Sequence, residues 1–153
     1  MACIVLCYAN GDKSEQITQN QSGEKTMLSE LLIVALIAVE SSGNDFALGD
    51  KGKAAGCLQV HKCVIDDVNR IYGLTYQWPE SAYSRETAIC ICQLYLKHYA
   101  KNYQKKTGRW ATVDILCALW NAGPRGPWKL QTNERLKNYV KKIKREMDKN
   151  SIH

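Results

Sequence analysis

Leu31-Leu32-Ile33-Val34-Ala35-Leu36-Ile37-Ala38-Val39-Glu40-Ser41-Ser42-Gly43 is the stretch on which the reading of this chain turns. Thr26 or Ser29 can cap a helix that runs through Leu31, Leu32, Ala35, Leu36 and Val39 to about Ser41. Such a helix is apolar nearly all round, which predicts a central, buried element. It ends on a carboxylate, although the C-terminal end of a helix dipole favours Lys or Arg. Glu40 is therefore either a mere helix-terminal charge or a group kept there for its chemistry. A carboxyl anchored at the end of a buried helix can hold its proton near neutral pH, because desolvation disfavours the charged form. That makes Glu40 a candidate general acid.

Outward from this helix, Phe46 to Val60 carries Gly49, Gly52 and Gly56 and the turn sequence Gly49-Asp50-Lys51-Gly52. A small β-hairpin or irregular lobe is expected there. Lys62 to Tyr72 reads as a helix through Val64, Val68, Ile71 and Tyr72, closed by Gly73. Ser84 opens the clearest helix, with Ala88, Ile91, Cys92, Tyr95 and Tyr99 on its apolar face and Gly108 beyond its end. Thr112 starts a further apolar helix, and Leu136, Tyr139, Val140, Ile143 and Met147 mark an amphipathic terminal one after the Gly/Pro stretch Gly123 to Pro127. The fold class expected is α+β, mostly α, with a buried central helix and a small β-hairpin lobe.

A chain of 153 residues fits one domain with a real core. Residues 1–25 are expected to be a flexible lead-in and 26–153 the domain. Leu31 to Val39, the longest apolar run, is far short of the roughly 20 residues of a membrane span, so no transmembrane segment is expected. Net charge is +6, concentrated between Lys129 and Lys149. That face suits an anionic partner, whether wall polymer, nucleic acid or acidic membrane, or is simply solvated. With no recognisable reading motif, nucleic acid is not the expected partner.

Seven cysteines are many for this length. Cys90, Cys92 and Cys117 sit in apolar helical patterns, where a thiol behaves as a small hydrophobe, so mostly free thiols are expected. A bridge through Cys57 or Cys63 stays open. Cys57, His61 and Cys63 lie within seven residues with no second matching pair, a poor zinc pattern, so neither metal nor cofactor is expected.

Three segments recur in a fixed order: Glu40-Ser41-Ser42-Gly43, Gly56-Cys57-Leu58-Gln59-Val60 and Trp120-Asn121-Ala122-Gly123-Pro124. Together they resemble the lytic transglycosylase domain of the goose-type lysozyme superfamily, which reads Glu-Ser-x-Gly, Gly-Leu-Met-Gln-Ile and Ala-Tyr-Asn-Ala-Gly. The resemblance runs from about Leu28 to Val140 and implies a lysozyme-like fold and a monomer acting on peptidoglycan without a cofactor. It implies cleavage of the β-1,4 link between N-acetylmuramic acid and N-acetylglucosamine, with Glu40 as acid and then base. The sugar's N-acetyl group assists departure, and its own C6 hydroxyl closes a 1,6-anhydro ring. The substrate-binding residues implied are Ser41, Gln59, Trp120, Asn121 and Tyr139. Trp120 stands where the family has tyrosine, so an indole that donates but cannot accept replaces a hydroxyl. Tyr139 also reads as a core residue.

Two other outcomes stay open on the same scaffold. If Asp45 or Asp50 faced Glu40 across a water-wide gap, the chain would be a hydrolytic muramidase instead. A glycan-binding or virion protein that keeps the fold without catalysis is the alternative from another class. The N-terminus, Met1 to Asn10, lacks the basic leading region of an export signal. Phage-encoded release or virion delivery to the cell wall is therefore the expected route.

Overall fold

The computed structural model describes residues 30–151. The lead-in expected over residues 1–25 and the candidate caps Thr26 and Ser29 lie outside them, as do Cys3 and Cys7. The described chain is mostly helical with one small antiparallel sheet.

The central helix α1 spans Glu30–Ser41, and Leu32, Ile33, Ala35, Leu36 and Ile37 are buried along it. Each such Leu or Ile contributes about 1.5–3 kcal/mol by leaving water. Val34 stays 47% exposed, so α1 faces the core over most of its circumference but not all. A run with no polar side has no amphipathic asymmetry, and its sequence gives no sign of which residue is left outside.

The chain then forms three two-residue strands, β1 (Leu48–Gly49), β2 (Ala54–Ala55) and β3 (Val60–His61), in the order β1-β2-β3. Both pairings are antiparallel, Leu48 opposite Ala55 and Ala55 opposite Val60. The first reversal places Asp50 (φ 46) and Lys51 (φ 54) in the left-handed region, the twist that suits tight hairpins.

α2 (Lys62–Tyr72) ends at Gly73, whose φ of 65 gives the left-handed stop that the glycine predicts. α3 (Glu80–Tyr83) is a single turn. α4 (Arg85–Thr107) begins at Ser84, whose hydroxyl accepts from the Thr87 amide, and stops at left-handed Gly108. A cap of this kind contributes about 1 kcal/mol. Thr112 caps α5 (Val113–Ala122) in the same way, and Asn133 caps α7 (Glu134–Asn150). Between α5 and α7 the Gly/Pro stretch folds into a 3₁₀ turn and the short α6 (Gly126–Lys129).

Helix α1 packs most extensively on α7, while α5 touches α4, α6 and α7. The helices close around one core that also takes in Leu58 and Val60 of the sheet region. Tyr72 ties α2 to α4 by donating to the Leu94 carbonyl at 3.0 Å, and Trp78 ties the approach to α3 onto β3 through Val60 O at 3.1 Å. Cys57, Cys63, Cys92 and Cys117 are free thiols, so neither Cys57 nor Cys63 carries a bridge.

Candidate functional site

Glu40 lies on the last turn of α1, and Tyr139 reaches it from α7. The phenol donates to Glu40 Oε1 at 2.5 Å across 99 positions of sequence. Burial pushes the Glu40 carboxyl above its ordinary range, and the Tyr139 hydrogen bond pulls it back only in part. Burial, together with the charge and hydrogen bond of Glu40, also drives the Tyr139 phenol strongly upward, so it stays a neutral donor. Cys92 of α4 and Cys117 of α5 complete the surroundings. Burial pushes the Cys117 thiol up to about 12 and raises Cys92 as well, with the Glu40 charge adding to both. These three neighbours are neutral, and among the described residues no cation pairs with Glu40.

Ser41, one residue on, binds backbone. Its hydroxyl donates to Cys57 O at 2.8 Å, which fastens the end of α1 to the Gly56–Val60 segment. The chain then turns away through Ser42 (φ 54) and Gly43 (φ 85). Ser42 holds a left-handed conformation that favours glycine, a local cost borne beside the carboxyl. Arg85, at the start of α4, grips this turn by donating to Gly43 O at 2.6 Å. Its Nε also lies 2.9 Å from Asp45 Oδ1. The Nε hydrogen points at Oδ2, 3.2 Å away, so buried Oδ1 is held by charge rather than by a hydrogen bond.

Gln59 is a second non-glycine residue in the left-handed region (φ 49). Its amide nitrogen donates to Gly56 O at 2.9 Å, and its Oε1 lies where a Cβ on Gly49 would collide at 2.0 Å. The side chain thus lies over the β1 backbone. Gly56 itself has φ 77, and any Cβ there would stand 1.8 Å from Ala82 O of α3.

Trp120 is half-buried on α5 and meets Tyr95 edge-on, with ring centroids 6.0 Å apart. Its neighbour Asn121 is exposed, and its side chain makes no hydrogen bond among the described residues. The structure thus joins Glu40 to Tyr139 directly and Ser41 to the Gln59 segment through backbone. Trp120 and Asn121 sit one turn beyond Cys117 on α5.

Neither candidate second carboxylate pairs with Glu40. Asp45 is engaged by Arg85, and Asp50 lies in the hairpin turn with His61 Nε2 at 3.9 Å. Arg85 is the participant that sequence reasoning missed. A lone Arg after a helix cap carries no signal of a partner 42 positions earlier. Among the described residues no three His, Cys, Asp or Glu side chains are grouped to hold a metal, and no helix is long and apolar enough to cross a membrane.

The family model described as Transglycosylase SLT domain matches residues 17–144. No curated protein and no solved structure matches the chain. A match over most of the chain shows the family: this protein belongs to the transglycosylase SLT domain family, whose function is glycan cleavage of the lytic transglycosylase type.

Proposed function

We propose that this member of the transglycosylase SLT family cuts the β-1,4 bond between N-acetylmuramic acid and N-acetylglucosamine, with Glu40 as its one catalytic carboxyl. The carrying observation is the hydrogen bond from Tyr139 to a carboxyl whose proton affinity is raised by burial. A protonated Glu40 delivers its proton to the glycosidic oxygen as the bond breaks. The sugar's N-acetyl group supports the departing centre. The glutamate, now an anion, takes the proton of the C6 hydroxyl, and that oxygen closes the 1,6-anhydro ring. Tyr139 stays protonated throughout and serves the anionic phase by donating to Oε1.

Two features favour ring closure over attack by water. Hydrolysis by inversion needs a second carboxylate facing the first across about 6.5–9.5 Å; Asp45 is bound to Arg85, and Asp50 sits in the exposed hairpin turn. The neutral neighbours also give the glutamate anion no competing cation. Ser41 acts through backbone, keeping the Gln59 segment at a fixed distance from α1. Trp120 offers an indole to a sugar face, and Asn121 an amide to its polar groups.

Mass spectrometry of the products from purified peptidoglycan tests the reading. Anhydro-muropeptides are expected. Reducing ends would show a muramidase, and no product at all would leave only glycan binding.

A further inference from the structure

The C-terminal half of α4 and the short α6 build a second surface, which borders the third motif at Pro124. Trp128 of α6 is 54% exposed. Tyr103 meets Trp128 with centroids 5.9 Å apart, and the Lys106 ammonium lies 5.6 Å from the Trp128 ring centre. Between them is a hollow of about 60 Å³, lined also by Asn102, Leu119 and Pro124.

The charge around this hollow is one-sided. The chain has no Asp or Glu between Glu86 and Asp114, nor between Asp114 and Glu134. The same two segments carry Lys97, Lys101, Lys105, Lys106, Arg109, Arg125 and Lys129, all exposed. None of the seven has an ion-pair partner among the described residues. On α7, Lys137, Lys144 and Lys149 are matched by Glu134, Asp114 and Glu146, while Arg135, Lys141, Lys142 and Arg145 are also exposed and unmatched among the described residues. What α4 and α6 add is aromatic faces beside such cations. Lys106 is fourteen residues along α4 from Cys92, the neighbour of Glu40. At about 1.5 Å per residue that is roughly 20 Å, which sets the Lys106 end of α4 well apart from the carboxyl.

We propose that this surface is an accessory binding site for an anionic wall glycan, which holds the enzyme on its insoluble substrate. The exposed Trp128 indole gives a sugar ring a flat face to rest on. The hollow has room for a small arm such as an acetamido group, beside the Asn102 amide. The unmatched cations would meet carboxylates of the stem peptides or phosphates of polymers joined to the wall, and Lys106 would exchange its contact with the indole for that anion. The site rests on wall glycan being the substrate, but its test does not depend on catalysis.

The test uses the full chain carrying Glu40→Gln, with and without Lys106→Gln plus Trp128→Leu, sedimented with insoluble peptidoglycan at several salt concentrations. Both side chains are exposed, and an unchanged melting curve confirms that the variant folds. Binding should weaken roughly tenfold, the scale of one lost aromatic stack, and its salt dependence should shallow. With Glu40 intact, the same pair should raise KM on sacculi and leave turnover of short soluble fragments unchanged. Removing stem peptides with an amidase, or phosphate polymers with acid, identifies the anion by which treatment abolishes the difference. Persistence of the difference after both treatments would overturn the charge argument. Unchanged wall binding would overturn the site, as would weakening seen only on phosphatidylglycerol vesicles or on DNA. A chain that binds in this way yet clears walls with Glu40→Gln would overturn the catalytic reading alone.

Discussion

Two tyrosine–carboxylate pairs stand among the described residues, and they behave in opposite ways. Tyr139 donates to Glu40 at 2.5 Å, and Tyr99 donates to Asp67 at 2.6 Å. Burial raises both acids. At Asp67 it is outweighed by the Arg70 and Tyr99 hydrogen bonds and the Arg70 charge, so that carboxyl ends below its ordinary range. At Glu40 no cation intervenes, and burial wins. Tyr99 is itself pushed up to about 12, burial first and Asp67 second. The hydrogen bond is common to both pairs. What separates the two is their surroundings: Glu40 is the more deeply buried and has no cation beside it, whereas Asp67 is partly exposed and paired with Arg70.

The largest test of this contrast is Glu40→Gln. Activity on peptidoglycan should fall by about 10²–10⁴-fold, the range for a lost general acid–base group. Folding should survive, and the stability difference should depend on pH in a definite direction. A carboxyl raised on folding contributes stability that is complete below its unfolded pKa and lost as pH rises through its folded one. The Gln variant should therefore gain on the native chain in melting temperature between acid and neutral pH. A melting difference that does not change with pH would mean that Glu40 is not raised.

Tyr139→Phe comes next, with an expected loss of about 10-fold or more in kcat from the weakened anionic phase. Its hydrogen bond lowers the Glu40 pKa, so its removal should carry the alkaline limb of the pH–activity profile to higher pH. A shift to lower pH would reverse the assignment. Ser41→Ala removes one buried-side tether and should cost about 1 kcal/mol in chemical denaturation. A rise in KM larger than the fall in kcat would follow if the Gln59 segment then drifts from α1.

Asp67→Asn should be the mildest in activity, leaving turnover intact at a cost of about 1 kcal/mol or less for a partly exposed pair. Because Asp67 is lowered on folding, its stabilisation is present above its unfolded pKa and lost as pH falls through the folded one. The variant should thus melt more nearly like the native chain in acid than at neutral pH.

Local chemistry accounts for what could be read in advance. Gly73 and Gly108 stop helices because a left-handed residue favours glycine, and Ser84, Thr112 and Asn133 can cap because their oxygens reach an amide three residues on. The boundaries of α2 and the start of α4 were accordingly legible. α3 and α6, single turns held by their neighbours, were not, since four residues show no periodicity. At the site, Glu40 was legible from its position at the end of an apolar run. Tyr139 stood out only by resemblance, because nothing local links residues 99 positions apart. The Ser41–Cys57 tether and the Arg85 grip on Gly43 use backbone carbonyls as acceptors, and every residue has one of those, so the sequence carries no mark of them.

The contact between Gly56 and Ala82 O leaves no room for even a methyl group. A side chain there would act as a wedge between the sheet and α3, whatever became of the carboxyl across the groove. The glycine of the second motif is thus a fitting of the scaffold, and a chain that had lost its chemistry would still need it. Finding that residue in a new sequence testifies to how the halves are joined, and says little about whether the tool still cuts.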